Sequence, residues 1–452
     1  MVGWIILGIV ILFLLVIVIR TLLFRPRKEV LPEPLRVDVD ENRIVSDMRE
    51  LIRVKTVSYL DKSLEDPAAF AEFPELLKRL YPRIHETMKQ ERIGEKGLLY
   101  HWAGRSDERP GVLMAHYDVV PVQESTWRHP PFAGEIHDDA LWGRGTLDTK
   151  CTLLGVMEAA EHLLAEGYVP ENDLYFAFGG DEEIFGEAAP AIVEELRKRG
   201  VKPFFVLDEG GAVVENVFPG VTAPCALIGL AEKGIANILL ESKSSGGHAS
   251  TPPVHTAVGI VASAVTRVEK HPFPFRLTPA VRQMFDILGR RSGFLYRMIF
   301  ANLWCFSPVF NLLCKKSGGE LNAMVRTTCA FTQMSGSPAF NVLPPKAVVG
   351  ANLRLIGDET TESARAYVEK IVRDPRVSVT VANGNNPSEC SEASGEAWAQ
   401  LSEAIHQTWD GVIVSPYLMM AGSDSRHYSP ICPHVYRFSP VAMSLEERKT
   451  IH

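Results

Sequence analysis

The 452-residue chain has no close pair of cysteines. Its seven, at 151, 225, 305, 314, 329, 390 and 432, are scattered and odd in number, and no CxxC occurs. That spacing gives no disulfide framework and no thiol redox pair, so buried or inert thiols are expected. No long basic run follows the first thirty residues and the formal net charge is -8, which argues against nucleic acid as a partner. Internal repeats and low-complexity tracts are also missing. What remains is a globular composition, 46% hydrophobic and 23% charged, over a length that predicts two domains.

Charge is missing altogether from Met1 to Ile19, and Leu22, Leu23 and Phe24 carry the apolar run past Arg20. About 20 apolar residues span a bilayer, and an arginine near the end can snorkel. No small-x-small cleavage site follows, so residues 1–24 are read as an uncleaved single-pass anchor in place of a removed signal peptide. Residues 25–36, with RPRKEVLPEP, read as a linker. Arg20, Arg25, Arg27 and Lys28 follow the run and no Lys or Arg precedes it, which favours a cytoplasmic C-terminal side.

From Val37 to Glu232 strands and helices alternate. GVLMAHYD, DLYFAFGG and PFFVLDEGG are short apolar runs suited to buried strands, and CTLLGVMEAAEHLLAEG has helical spacing with a glycine stop. The expected fold is α/β, a three-layer catalytic domain around a central, mostly parallel sheet, with its first part at 37–232. Residues 233–389 change order to βαββαβ, a ferredoxin-like α+β lid domain. The chain then returns to the first domain over 390–452.

The acids and histidines fall at strand ends. His116 and Asp118 close the first buried strand, Glu182 and Glu183 follow the second, and Asp208 ends the third. Ligands of open α/β sheets bind outside the carboxyl ends of strands. Asp148 precedes a helix within LWGRGTLDTK, and His427 lies in AGSDSRHY after a late strand. Taken singly, a strand-end His is ordinarily a satisfied hydrogen-bonding residue, an acidic run a solvated loop and an Asp before a helix an N-cap. Together they place imidazole and carboxylate donors, ordinary zinc ligands, at one sheet edge. A pair of ions about 3.5–4 Å apart also needs a shared group.

MAHYDVVPV, WGRGTLDTK, GGDEE, LDEGG, GGHAS and AGSDSRH resemble, in order and spacing, the two-zinc metallopeptidase family of aminoacylase, glutamate carboxypeptidase, acetylornithine deacetylase and carboxypeptidase S. Within that family the likeness is to carboxypeptidase S and the N-fatty-acyl-amino-acid synthase/hydrolase, from about Val37 to His452. The resemblance implies two zinc ions per chain, with cobalt or manganese able to substitute. It implies His116 and Asp208 on one ion, Glu183 and His427 on the other, and Asp148 bridging, before a cis bond to Thr149. Asp118 would fix the His116 tautomer. Glu182 would be the general base that takes the proton of the attacking water and returns it to the leaving amine. His248, in GGHAS, would steady the oxyanion, and Asn341 and Arg354 would meet the substrate. From their own surroundings, these last three are equally readable as turn and strand-face residues. A homodimer through the lid domain is the implied assembly. The sequence departs from the family at Cys151, where Gly is common, and stops at His452, where relatives usually continue.

The activity implied is hydrolysis of amide bonds in N-acyl amino acids or small peptides with a free carboxylate, reversible in principle. The alternatives are a dipeptidase or short-chain deacylase such as aminoacylase, and an inactive binding protein that keeps the fold. The last would be marked by loss of Glu182 or a ligand, and none is lost. A final feature is the insert at 271–320, rich in Phe, Leu, Ile, Met and Trp. It reads as extra lid core or a dimer face, or else as the wall of an apolar groove or a surface on the bilayer, either of which suits a long acyl chain.

Overall fold

In the computed structural model, residues 1–27, 30–444 and 446–451 are described. Lys28, counted above with the basic flank, lies outside them, as does His452. In chain order the helices are α1 (Val2–Leu23), α2 (Glu41–Arg53), α3 (Pro67–Leu80), α4 (Pro82–Thr87), α5 (Lys150–Ala165), α6 (Ala188–Lys198), α7 (Ala257–Lys270), α8 (Pro279–Arg291), α9 (Phe294–Ala301), α10 (Leu303–Ser317), α11 (Gly319–Met324), α12 (Thr361–Val372) and α13 (Gly395–Thr408). The strands are β1 (Lys89–Ile93), β2 (Gly97–Trp102), β3 (Ser106–His116), β4 (Glu135–His137), β5 (Ala140–Trp142), β6 (Asn172–Gly179), β7 (Phe205–Val214), β8 (Cys225–Glu232), β9 (Gly234–Lys243), β10 (Gly247–His248), β11 (Thr328–Ser335), β12 (Val342–Leu343), β13 (Lys346–Leu355), β14 (Val377–Asn385), β15 (Ile413–Met419) and β16 (Val435–Met443). They fall into two compact units, one of residues 27–230, 391–417 and 423–452, the other of 1–26, 231–390 and 418–422.

The first unit is built on an eight-stranded sheet in the order β1-β2-β6-β3-β7-β16-β8-β15. Its central strands, β6, β3, β7 and β16, run parallel to their neighbours. Outside them the pairing is antiparallel, β1 with β2, β2 with β6 and β16 with β8. The α/β class is as expected, and the sheet is mixed, with a parallel centre and antiparallel edges. The reason is local: β1 and β2 are joined by a tight turn through Gly94, at a φ of 61°, and a hairpin forces antiparallel pairing. One face packs Phe73, Leu77, Tyr100, Leu153, Met157, Phe176 and Phe178, and the other Leu99, Val112, Ile192, Leu196 and Val206. Each such side chain contributes about 1.5–3 kcal/mol when fully buried.

The second unit holds a four-stranded antiparallel sheet in the order β11-β13-β9-β14. With α7 and α12 the chain order is βαββαβ, the ferredoxin-like pattern. α7 starts where the Thr256 hydroxyl accepts the Gly259 N–H, and α12 where Thr360 and Ser363 form a reciprocal capping box. Both lay Ile260, Val261, Ala264, Val368 and Val372 on Ile238, Leu240, Val349 and Leu353 of the sheet. The insert between α7 and β11 forms four helices. Phe285, Phe300 and Phe310 meet edge-on or tilted at 5.2–6.0 Å and give it a small core of its own.

Candidate metal centre

His116 is the last residue of β3, and Gly179 is its register partner at the end of β6. The chain leaving β6 makes a 3-10 turn over Glu182–Ile184, and Asp148 lies just ahead of α5. Three segments therefore deliver side chains to the carboxyl end of the parallel strands.

The His116 Nδ1–H donates to the backbone carbonyl of Asp118 at 3.0 Å, which leaves Nε2 with a lone pair for a ligand. The Asp118 carboxylate is 3.4 Å from Nδ1 and accepts the backbone N–H groups of Glu182 and Glu183, each at 3.2 Å. Asp118 thus holds the 3-10 turn in place besides touching the imidazole. Nε2 lies 3.0 Å from Asp148 Oδ1 and 3.2 Å from Glu209 Oε1. The ligand atoms of His116, Asp148 and Glu183 lie within 4.8 Å of one another, and so do those of His116, Glu182 and Glu209.

Glu209 is the residue that sequence reasoning missed. Asp208 was expected beside His116, but its Oδ2 accepts the Ser425 N–H at 3.0 Å. The cause is a bulge. The register of β7 with β16 runs from Asp208↔Arg437 to Gly211↔Phe438, so Glu209 and Gly210 have no partner on β16. Bulges re-aim side chains, and this one sends Glu209 out of the strand alternation. Gly210 adopts a φ of 144°. At Gly211 a Cβ would lie 1.6 Å from the Leu227 carbonyl oxygen, so only glycine fits. The Gly-Gly after Asp-Glu was the sequence signal for the bulge. The Asp208–Ser425 hydrogen bond also ties the turn Asp424–Tyr428, which carries His427, to the first half of β7.

The electrostatics fit a cationic group. Burial first, then the charges of Glu209, Asp424 and Asp118 against the pull of His116, raise the Glu182 carboxyl well above its usual range. Burial and neighbouring carboxylates likewise push Glu183 up to about 7 and Glu209 up to about 8. Burial opposes a charge on His116, but Glu209, Asp118 and Asp148 outweigh it and raise its pKa. So many acids around one imidazole are badly matched by protons and well matched by divalent cations, which reverse this balance. The donor set, imidazole nitrogen and carboxylate oxygen, suits zinc.

Two neighbours frame the loop. The Asp148–Thr149 peptide is cis, as expected. Asp181 is a cap: its carboxylate accepts the N–H groups of Glu187 and Ala188 at the start of α6. Lys150, wholly buried, donates to the carbonyls of Leu51 and Val54 and so fastens the start of α5 to α2. Burial brings its pKa down to about 7.

The other predicted residues lie in the second unit. His248 pairs with Val342 across β10 and β12, and the Ala249 N–H donates to the Asn341 carbonyl, so these two are neighbours. His248 Nδ1 accepts the Ser250 N–H, which places the ring proton on Nε2. Arg354 is near the far end of β13, eight residues beyond Lys346, or about 27 Å along the strand. It is half-buried, with Nε donating to Asn352 Oδ1. Within this unit the structure joins His248 and Asn341 but not Arg354.

Known proteins share this architecture and sequence. N-fatty-acyl-amino acid synthase/hydrolase PM20D1 of Xenopus tropicalis is 36% identical over 420 residues, 91% of this chain and 81% of that one. Probable carboxypeptidase S-like 2 of Dictyostelium discoideum is 33% identical over 454 residues, 97% of this chain and 87% of that one. Among solved structures, the M20 family metallo-carboxypeptidase Sso-CP2 of Sulfolobus solfataricus superposes with a TM-score of 0.62 at 15% identity, covering 88% of this chain and 91% of that one. Human carnosine dipeptidase 1 does so with a TM-score of 0.59 at 14% identity, covering 90% of each chain. These two share the fold. Residues 112–451 match peptidase family M20/M25/M40, and the chain is a member of that family of hydrolases.

Proposed function

We propose that the chain is a membrane-anchored, two-zinc amidohydrolase that cleaves N-acyl amino acids, including long-chain ones, at the amide bond. The observation that carries the reading is the packing of Asp148, Glu182, Glu183 and Glu209 around the Nε2 side of His116. His116 and Glu209 would hold one ion, Glu183 and His427 the other, and Asp148 would serve both. Asp208 positions the turn that carries His427. Zinc bound there would supply polarisation of the amide carbonyl and a water of lowered pKa. Glu182, raised by burial and adjacent carboxylates, accepts that water's proton and returns it to the leaving nitrogen. Asp118 fixes Glu182 through its backbone N–H. His248 offers a ring N–H for the developing oxyanion, and Asn341 and Arg354 serve the substrate's polar groups.

The substrate class is supported by the relatives of Xenopus tropicalis and Danio rerio, both called N-fatty-acyl-amino acid synthase/hydrolase, at 36% and 35% identity. The anchor is supported by α1, which is long and apolar enough to cross a membrane. The test is a series of N-acyl leucines or phenylalanines from acetyl to oleoyl, assayed below their micelle concentrations. Each buried methylene contributes about 0.8 kcal/mol, so kcat/KM rises by up to about fourfold per carbon until the site is full. A flat profile or a preference for acetyl would replace this reading with a dipeptidase or short-chain aminoacylase.

A further inference from the structure

The 22-residue helix α1 does not stand alone: it belongs to the second unit and is clasped by the insert. Arg20 donates through Nε and a terminal nitrogen to the Ala301 carbonyl. Asn302, wholly buried, donates to the Ile17 carbonyl, the Thr21 hydroxyl and the Met298 carbonyl. Phe13 and Trp304 meet edge to face at 5.7 Å, and the Arg290 guanidinium covers the Phe24 ring. From Ala301 through Asn302 to Trp304 the insert therefore descends α1 from Arg20 to Phe13.

That order fixes a depth. At 1.5 Å per residue, Ile17 lies about 9 Å and Phe13 about 15 Å from the Leu23 end of the helix. A hydrocarbon core is about 30 Å thick. If α1 spans it, the turn between α9 and α10 cannot lie in water, since its side chains touch α1 near mid-membrane. The local chemistry agrees. α9 and α10 are both apolar and meet at a 112° bend. The Asn302 amide at this bend is bonded on all sides, as a polar group in hydrocarbon must be. Phe294, Leu295, Trp304, Val309, Leu312 and Leu313 are 51–64% exposed, more apolar surface than a water-facing insert would show. Arg290 and Arg291 end α8, and Lys315 and Lys316 end α10, so cations mark the levels at which the insert returns to the headgroups.

We propose that α9 and α10 form a re-entrant elbow, with Trp304 at its tip, that enters one leaflet beside α1 and seats the ferredoxin-like unit directly on the lipid. This rests on the reading of α1 as a retained anchor. The clasp itself supports retention, because removing α1 would strip Asn302 of two of its three acceptors.

The experiment uses the full chain in phosphatidylcholine vesicles containing a phospholipid with a diazirine at mid-acyl chain. After irradiation, adducts are mapped on proteolytic peptides. The expected result is lipid adducts in 294–313 at yields comparable to those in α1. In the double variant Leu312→Lys, Leu313→Lys, at exposed positions where folding is undisturbed, adducts in 294–313 fall several-fold and those in α1 do not. Adducts confined to α1 would overturn the elbow and leave the anchor standing. Adducts in neither segment would overturn both. With a bifunctional amine-reactive cross-linker added, chain-to-chain products through Lys315 or Lys316 without lipid adducts at 294–313 would give this face to a second copy and overturn the lipid assignment.

Discussion

Glu209 Oε1 lies 3.2 Å from Nε2 of His116, although Glu209 follows a residue turned toward Ser425. The bulge in β7 therefore decides which of two adjacent acids meets His116. In elemental analysis after dialysis, Glu209→Ala should lose one of two zinc ions and nearly all activity. Asp208→Asn, one step removed, should keep both and weaken affinity by no more than about 10–100-fold. The reverse pattern would return the ligand role to Asp208.

Asp148 is the carboxylate assigned to both ions. Asp148→Ala should abolish paired binding, so that zinc titration followed by calorimetry shows at most one site. Two sites of unchanged affinity would mean that another group bridges.

Glu182→Gln keeps the shape of the side chain and cannot accept a proton. The metal content should stay at two, while kcat falls by about 10²–10⁴-fold. Turnover within a few-fold of the original would place the base elsewhere.

Lys233 is buried in the second unit, where its ammonium donates to the carbonyls of Ala323 and Arg326. Burial, and then the charge of Arg354, bring its pKa from 10.5 down to about 7. Between those values the unfolded chain binds a proton that the folded one does not. The contribution of Lys233 to stability should therefore rise with pH from about 7 toward 10 and be least below 7. Thermal unfolding across that range should show the slope, and Lys233→Met should reduce it, with Lys150 contributing the remainder. The variant should also lose about 1–3 kcal/mol at pH 9, from two carbonyls left without a donor. An unchanged slope in the variant would assign it to another group.

Most of the fold was readable because each element carries its own period. The apolar run of β3, the helical spacing of α5 and the βαββαβ order all arise from local patterning over eight or more residues. The edges of the large sheet were not readable: Lys89–Ile93 is polar and mostly exposed, so β1 gives no hydrophobic signal, and with it went the antiparallel pairing. At the site, His116, Asp118, Asp148, Glu182 and Glu183 sit where strand ends and helix starts put them. Glu209 was hidden because alternation along a strand sends adjacent residues to opposite faces, and a bulge suspends that rule at the position that mattered. In the insert, composition marked an apolar segment, but only the Arg20, Asn302 and Trp304 contacts reveal that its partner is the first helix of the chain.

The Arg20 hydrogen bond to Ala301 joins residues 281 positions apart, and this distance is also a delay. Translation proceeds at about 5–20 residues per second, so α1 emerges about 15–60 s before its partner exists. During that wait the Thr21 hydroxyl is already satisfied by the Ile17 carbonyl, one turn back, but Arg20 has no carbonyl to hold. With α1 as an anchor, a newly made chain would hold this helix with Arg20 unmatched until the insert closes over a segment that was laid down first.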